Sequence, residues 1–379
     1  MIVPLEQPHK SDADPHEGPD THGADTPKTP KTPDDFHGRR VYGHDELREL
    51  IRLRTGREHP SPRVRVLKDT SDFFRVEWGD VLMLGGRPYL VRNNEKEGRF
   101  GIDDEPKFWV RRAIDLETGG VKIVKMVYHE RYTANVAGIV FECFRSPRKE
   151  ARILELVGGR DDFMQGFSVK DEAGNVVRII DYIRGKTLAD FVPELGASHE
   201  DYYYNHLGRM MDDFIGMTRA VKYLHDNGEK HGDIRRDHVI LPHPPPPFLL
   251  TPSPSGEGAG GEAAGAWRWI DFDFGFSHGA NTYCYDLFGL GNVLLYVAGR
   301  GDVTLQNLKA ARCPALDSLT ADDFNIIFNN RAANLKKIHP YIPEQLNYVL
   351  MHFSIGAGMY YDNIDRFLED LMEARSVIP

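Results

Sequence analysis

Cysteine is scarce in this chain. Cys143, Cys284 and Cys313 lie far apart and follow no metal-ligand spacing, so neither a disulfide framework nor a thiolate metal site is expected, which fits a reducing compartment. An excess of positive charge is also missing. The 47 Lys and Arg stand against 57 Asp and Glu, a formal net charge of −10, which disfavours general nucleic-acid binding. One local basic cluster, Arg48, Arg52, Arg54, Arg57, Arg63 and Arg65, reads mainly as the solvated face of a short helix over 40–57. No apolar run reaches the length of a membrane span, and Met1-Ile2-Val3-Pro4-Leu5 does not read as a signal peptide. The expectation is a soluble, cytoplasmic protein with no membrane partner. Large apolar side chains are nearly missing from residues 1–38, which carry the repeat Thr26-Pro27-Lys28-Thr29-Pro30-Lys31-Thr32-Pro33. Such a segment buries too little to offset its ordering entropy and is expected to be a disordered tail. Residues 242–266, Pro-rich at the start and Gly-rich over Gly256–Gly265, read as a second candidate for disorder, an insert between two structured segments.

What remains is ample for a core: 379 residues, 41% hydrophobic and 11% aromatic, enough for two domains or one bilobal one. Two runs carry chemistry. His231-Gly232-Asp233-Ile234-Arg235-Arg236-Asp237-His238 offers a loop carboxylate suited to accept a proton from an attacking hydroxyl. Ile270-Asp271-Phe272-Asp273-Phe274-Gly275 offers carboxylates at the end of an apolar strand, suited to hold a metal against nucleotide phosphates. If that strand continues, alternation puts Asp271 and Asp273 on one side. Upstream, Met211, Phe214, Ile215, Val221 and Leu224 recur at helical spacing and predict an amphipathic helix over 209–224. Downstream, an apolar helix opens at Asp286 and ends near Gly299. Two C-terminal stripes, one at Leu346, Val349, Leu350 and Phe353, the other at Ile364, Phe367, Leu368 and Leu371, predict two more helices. In the N-terminal half, Val121–Lys125 alternates behind a Thr118-Gly119-Gly120 turn and reads as a strand. Glu150–Leu156 reads as a helix and 176–180 as a further strand.

In this order the segments resemble the protein-kinase superfamily over roughly 80–379, down to the Tyr223-Leu224-His225 that closes the helix before the catalytic loop. The resemblance implies an α+β, bilobal fold with a β-rich N-lobe (79–183), a helical C-lobe (184–379) and an N-terminal extension (39–78). It implies roles as well. Lys125 matches the lysine at the nucleotide phosphates, and Glu150 its carboxylate partner. Asp233 matches the catalytic base, with Arg235 where many kinases place a Lys beside the transferred phosphoryl. Asp271 is preferred over Asp273 as the metal ligand, though both remain candidates. Asp286 matches the residue that hydrogen-bonds the catalytic-loop backbone, and His231 is part of that loop. The backbone of Asp181 and Ile183 would hold adenine, with Ile180 at the rear of the pocket. ATP and magnesium are the implied cofactors, with manganese as an alternative. A protein or small-molecule hydroxyl is the implied acceptor.

Four departures qualify the resemblance. His238 stands where the family has an Asn metal ligand; it is either a nitrogen ligand suited to manganese or turned away from the metal. Gly232 stands where regulated kinases carry an Arg that pairs with a loop phosphate. Only about ten residues separate Gly275 from Asp286, too few for the usual activation loop and peptide platform. Glu97-Gly98-Arg99-Phe100-Gly101 matches the phosphate-covering glycine loop only in part, with Gly98 and Gly101 retained and the acidic Asp103-Asp104-Glu105 behind them. It is either that loop or an ordinary hairpin. These features are similar to the atypical, RIO-like and aminoglycoside-phosphotransferase-like branches. The leading expectation is an ATP-dependent phosphotransferase, an atypical serine/threonine-protein kinase. A small-molecule kinase and a pseudokinase scaffold are the competing readings.

Overall fold

Gly85 and Gly86, at φ 58° and 80°, form a two-residue turn that only glycine enters without strain, and the hairpin they close begins the sheet of the N-terminal half. The computed structural model describes residues 41–97, 105–136, 138–242, 267–277 and 283–379. The predicted tail, Gly98 and Gly101, and residues 243–266 of the predicted insert lie outside them.

The strands are β1 (Val66–Leu67), β2 (Val81–Leu84), β3 (Arg87–Glu97), β4 (Glu105–Asp115), β5 (Val121–Lys125), β6 (Arg131–Val136), β7 (Ile139–Arg145), β8 (Gly166–Lys170), β9 (Val176–Asp181), β10 (Gly185–Thr187), β11 (Val239–Pro242), β12 (Arg268–Trp269) and β13 (Phe274–Ser277). One sheet has the order β1-β2-β3-β4-β5-β9-β8, antiparallel except for the β1–β2 pair. A second, β10-β11-β12, brings together the chain on both sides of 243–266. The third, β13-β7-β6, pairs the segment after Asp273 with a hairpin that precedes Glu150.

The longer helices are α1 (His44–Thr55), α2 (Pro147–Leu156), α3 (Gly208–Asp226), α4 (Cys284–Ala298), α5 (Glu344–Met351) and α6 (Ile364–Ser376). The architecture is thus α+β, with strands concentrated in the N-terminal half and helices in the C-terminal part. α1 buries Leu47 and Ile51 against Val64, Val81, Leu90 and Leu116. α2 starts sharply because Ser146 caps it, accepting from the Lys149 amide, and Pro147 occupies its first turn. That start fixes which way Lys149 and Glu150 point. The main core is continuous across both halves: Ile153 and Leu154 of α2 belong to the same cluster as Phe163, Met217, Trp269, Phe272 and Leu287. The site therefore rests on one packed body rather than on a loose junction.

The predicted strand at 267–270 stops at Trp269. Residues 270–273 leave regular structure, and Asp271 adopts φ 68°, a left-handed conformation rare for a side-chain-bearing residue. The alternation argument for Asp271 and Asp273 therefore does not hold, although the two carboxylates converge by another route.

Candidate active site

Three elements deliver one cluster of charges. β5 ends at Lys125, the first turn of α2 holds Glu150, and the irregular turn after β12 holds Asp271 and Asp273. The Lys125 ammonium donates to Glu150 Oε1 at 2.6 Å and to Asp271 Oδ1, and lies 3.6 Å from Asp273 Oδ2. Burial works against its charge. The carboxylates of Asp271, Asp273 and Glu150 outweigh that and hold its pKa above the ordinary lysine value. Glu150 is fully buried, and its second oxygen accepts from Arg178 Nε of β9 at 3.0 Å. Asp273, also fully buried, accepts from Arg145 Nη1 at 2.5 Å; Arg145 reaches Glu130 at 3.2 Å and lies over the Phe274 ring. Asp271 accepts from Lys107 of β4 at 3.3 Å on its other oxygen. Burial raises the Asp271 pKa, but Lys107, Lys125, His238 and Arg145 together pull it well below the usual carboxylate range.

Glu150, Asp271 and Asp273 offer oxygens within 4.8 Å of one another, a spacing that fits one cation. Asp273 Oδ1 is buried and has no hydrogen-bond partner among the described residues. An all-oxygen set with an unspent acceptor suits a hard divalent ion such as magnesium.

The run from His231 to His238 is held from two sides. Asp286, at the start of α4, accepts the backbone N–H of His231 and of Gly232, both at 2.8 Å, and His225 Nε2 at 3.0 Å. The carboxylate thus meets the loop backbone, and its pKa lies below the ordinary value, with burial opposed mainly by the His225 bond. From the other side comes Lys149. Its ammonium is buried and donates to three carbonyls: His231 at 2.8 Å, Phe272 at 2.8 Å and Phe274 at 2.6 Å. Burial holds its pKa down to about 8. Gly232, at φ 85°, lies against this tie. A Cβ there would fall 1.7 Å from the Phe274 carbonyl and 3.2 Å from the Lys149 ammonium, so no side chain fits.

His231 is fully buried between the edges of Trp269 and Phe272, with Nδ1 accepting from the Asp233 amide at 3.3 Å. Burial lowers its pKa to about 3, so the ring is neutral. The Asp233 carboxylate is partly accessible, and His238 is tied to the Asp233 backbone: Nδ1 lies 2.8 Å from its carbonyl. A nitrogen against a carbonyl donates, which in the neutral ring leaves the lone pair on Nε2. That nitrogen lies 3.5 Å from Asp271 Oδ2. His238 therefore faces the carboxylate cluster. Arg235 donates to Asp237 at 3.0 Å.

At the end of β9, Ile180 is buried in the main core. The Asp181 amide donates to the Gln165 carbonyl at 2.8 Å, and its side chain pairs with Lys122 at the surface. Ile183 is half-buried against the main core. Lys125, Glu150, Asp271, Asp273, Asp233 and His238 are brought together; among the described residues, no described contact joins Arg235, Ile180, Asp181 or Ile183 to the charge cluster. Sequence reasoning missed Lys107, Arg145, Lys149 and Arg178. Each is a buried cation next to a recognised motif or strand, and no local pattern marks it.

No protein-family model matches the chain. Over 133 residues, 35% of this chain, it is 27% identical to the serine/threonine-protein kinase RAD53 of Saccharomyces cerevisiae, and that stretch covers 14% of the relative. The likeness extends to the protein-kinase-like superfamily at most, and carries neither activity nor substrate.

Proposed function

We propose that this chain is an ATP-dependent phosphotransferase of bilobal, protein-kinase-like fold, with 79–183 as N-lobe and 184–379 as C-lobe, acting on a protein serine or threonine before a small-molecule hydroxyl. The observation that supports it best is the meeting of Lys125, Glu150 and Asp271 in one buried cluster, with the Asp233 loop fastened beside it by Asp286. Lys125, oriented by Glu150, binds phosphate oxygens. Asp233 orients the acceptor hydroxyl and takes its proton as the new O–P bond forms. The bond from the γ-phosphorus to the β-bridging oxygen breaks, and ADP leaves with the electron pair. Asp271, with Asp273 and Glu150 within reach, would hold magnesium, which supplies charge neutralisation along the phosphates. The name of the yeast relative agrees with a protein acceptor.

The competing reading is a nucleotide-binding scaffold, favoured by His238 in place of Asn and by the two lysines already engaged on Asp271. Incubation with γ-labelled ATP, with and without cell extract, separates the two. The expected result is label on a protein, lost in Asp233→Asn while ATP binding remains. A wild type that binds ATP and never transfers label establishes the scaffold reading instead.

A further inference from the structure

Arg236 stands three residues after Asp233, so the Cα atoms of the two lie within about 11 Å of each other. His238 meets the carboxylate cluster at Asp271, whereas Arg236 leaves the same run in another direction. Its guanidinium lies over the Tyr296 ring at 4.4 Å, near the end of α4, and donates to Asp302 Oδ1 just beyond that helix at 2.8 Å. A second guanidinium reaches the same carboxylate from a distant segment. Arg331 lies 3.3 Å from Asp302 Oδ2, with its own guanidinium 4.0 Å from the centre of the Phe328 ring. Two half-buried, ring-stacked cations thus share one carboxylate.

Arg331 is the less satisfied of the two. Its contact with Asp302 is an ion pair, and none of its guanidinium N–H groups makes a hydrogen bond among the described residues. Burial lowers its pKa from the ordinary arginine value; Asp302 opposes that shift and Arg236 adds to it. Asp190, which also faces Tyr296, accepts from the Thr187 hydroxyl at 2.7 Å. Arg331, Asp302, Tyr296 and Asn292 line an open hollow of about 230 Å³. A guanidinium fixed on a ring, with donors unspent, is ready for a further carboxylate, because little freedom remains to be lost on binding. An acceptor with its hydroxyl at Asp233 brings its neighbouring residues here, since two or three residues of extended chain span about 7–11 Å. We propose that Arg236 and Arg331 form an acceptor subsite for an acidic side chain two or three residues from the accepting serine or threonine. Asp302 holds the two guanidiniums in place, and the incoming carboxylate takes the Arg331 donors that Asp302 leaves unused. This rests on the phosphotransferase reading and names its class of acceptor.

The test is labelled transfer from ATP by the full chain to two serine peptides, alike except that one carries aspartates and the other asparagines on both sides of the serine. The wild type is expected to favour the aspartate peptide about tenfold or more in kcat/KM, the scale of one charge-assisted hydrogen bond. In Arg331→Gln that ratio should fall to about twofold or less, through a higher KM for the aspartate peptide, and Arg331→Lys should recover part of it. The aspartate peptide with alanine in place of serine should inhibit transfer by the wild type and its asparagine twin should not, a reading that needs no variant to fold. Equal kcat/KM for the two serine peptides, inhibition by both alanine peptides alike, or an unchanged ratio in Arg331→Gln overturns the proposal. A variant that loses both peptides alike overturns it too, and makes the pair a structural clamp between the loop and α4. Label on proteins of a cell extract but on neither peptide overturns it and leaves the phosphotransferase reading in place. A wild type that labels nothing removes both.

Discussion

Two ion pairs of similar length sit in opposite surroundings. On α1, Arg52 meets Glu49 at 2.5 Å, with side chains 54% and 61% exposed. In the site, Glu150 meets Lys125 at 2.6 Å and Arg178 at 3.0 Å, with almost no exposure. Distance does not rank them. At the surface, water and salt screen the charges, and holding two long side chains still costs about what the contact returns. Inside, neither partner can return to water without opening the core. Each charge therefore depends on the others, and losing one leaves its partners stranded. The exposed pair decorates a helix, whereas the buried set fixes the position of every group that touches it.

The sharpest way to break this contrast is Glu150→Ala. It strands Arg178 and removes one of the buried counter-charges of Lys125, and should cost about 3–5 kcal/mol in urea unfolding. A loss below about 1 kcal/mol would mean that the buried cluster behaves like a surface pair. A smaller effect should come from His231. Its folded pKa is about 3, whereas an unfolded histidine protonates near about 6.5. The unfolded chain therefore takes up a proton that the folded one refuses. Stability from this group is complete above about pH 6.5 and drains away as pH falls towards 3. His231→Phe should flatten that part of the stability–pH curve; an unchanged slope would show that the ring is not held neutral. Arg52→Ala should be the least effect of all, with no measurable shift of the unfolding midpoint. A clear shift would show that α1 charges matter more than their exposure suggests.

What was legible in the chain was what local pattern carries. The β5 alternation ending at Lys125 and the stripe that became α3 follow from residues near one another. So does the apolar run of α4, with Asp286 in its first turn. Glu150 was legible only through its place in an order of motifs. The β6–β7 hairpin went unread although Phe141 and Cys143 alternate with exposed neighbours, because its partner β13 lies some 130 residues further on. Asp271 was found by motif, but the route by which its carboxylate meets that of Asp273 was not legible, since a left-handed residue ends the strand whose alternation would have aligned them. The cations Lys107, Arg145, Lys149 and Arg178 could not be read at all. A lysine in an acidic, charged stretch looks solvated until tertiary packing removes the water.

Lys149 has a consequence for switching. Kinase-like sites are turned off by a helix that swings away from its lysine. Here α2 carries an ammonium whose three acceptors are the His231 carbonyl and those of the two residues flanking Asp273. Rotating α2 outward would pull that ammonium from all three, and each buried carbonyl left unpaired costs about 1–3 kcal/mol. α2, the loop at His231 and the turn at Asp271–Phe274 should therefore open as one cooperative unit, and their slowest amides should exchange with a common opening free energy. The resting conformation is the assembled one. Moving the helix outward is opposed by three buried hydrogen bonds at once, which couples its position to both segments.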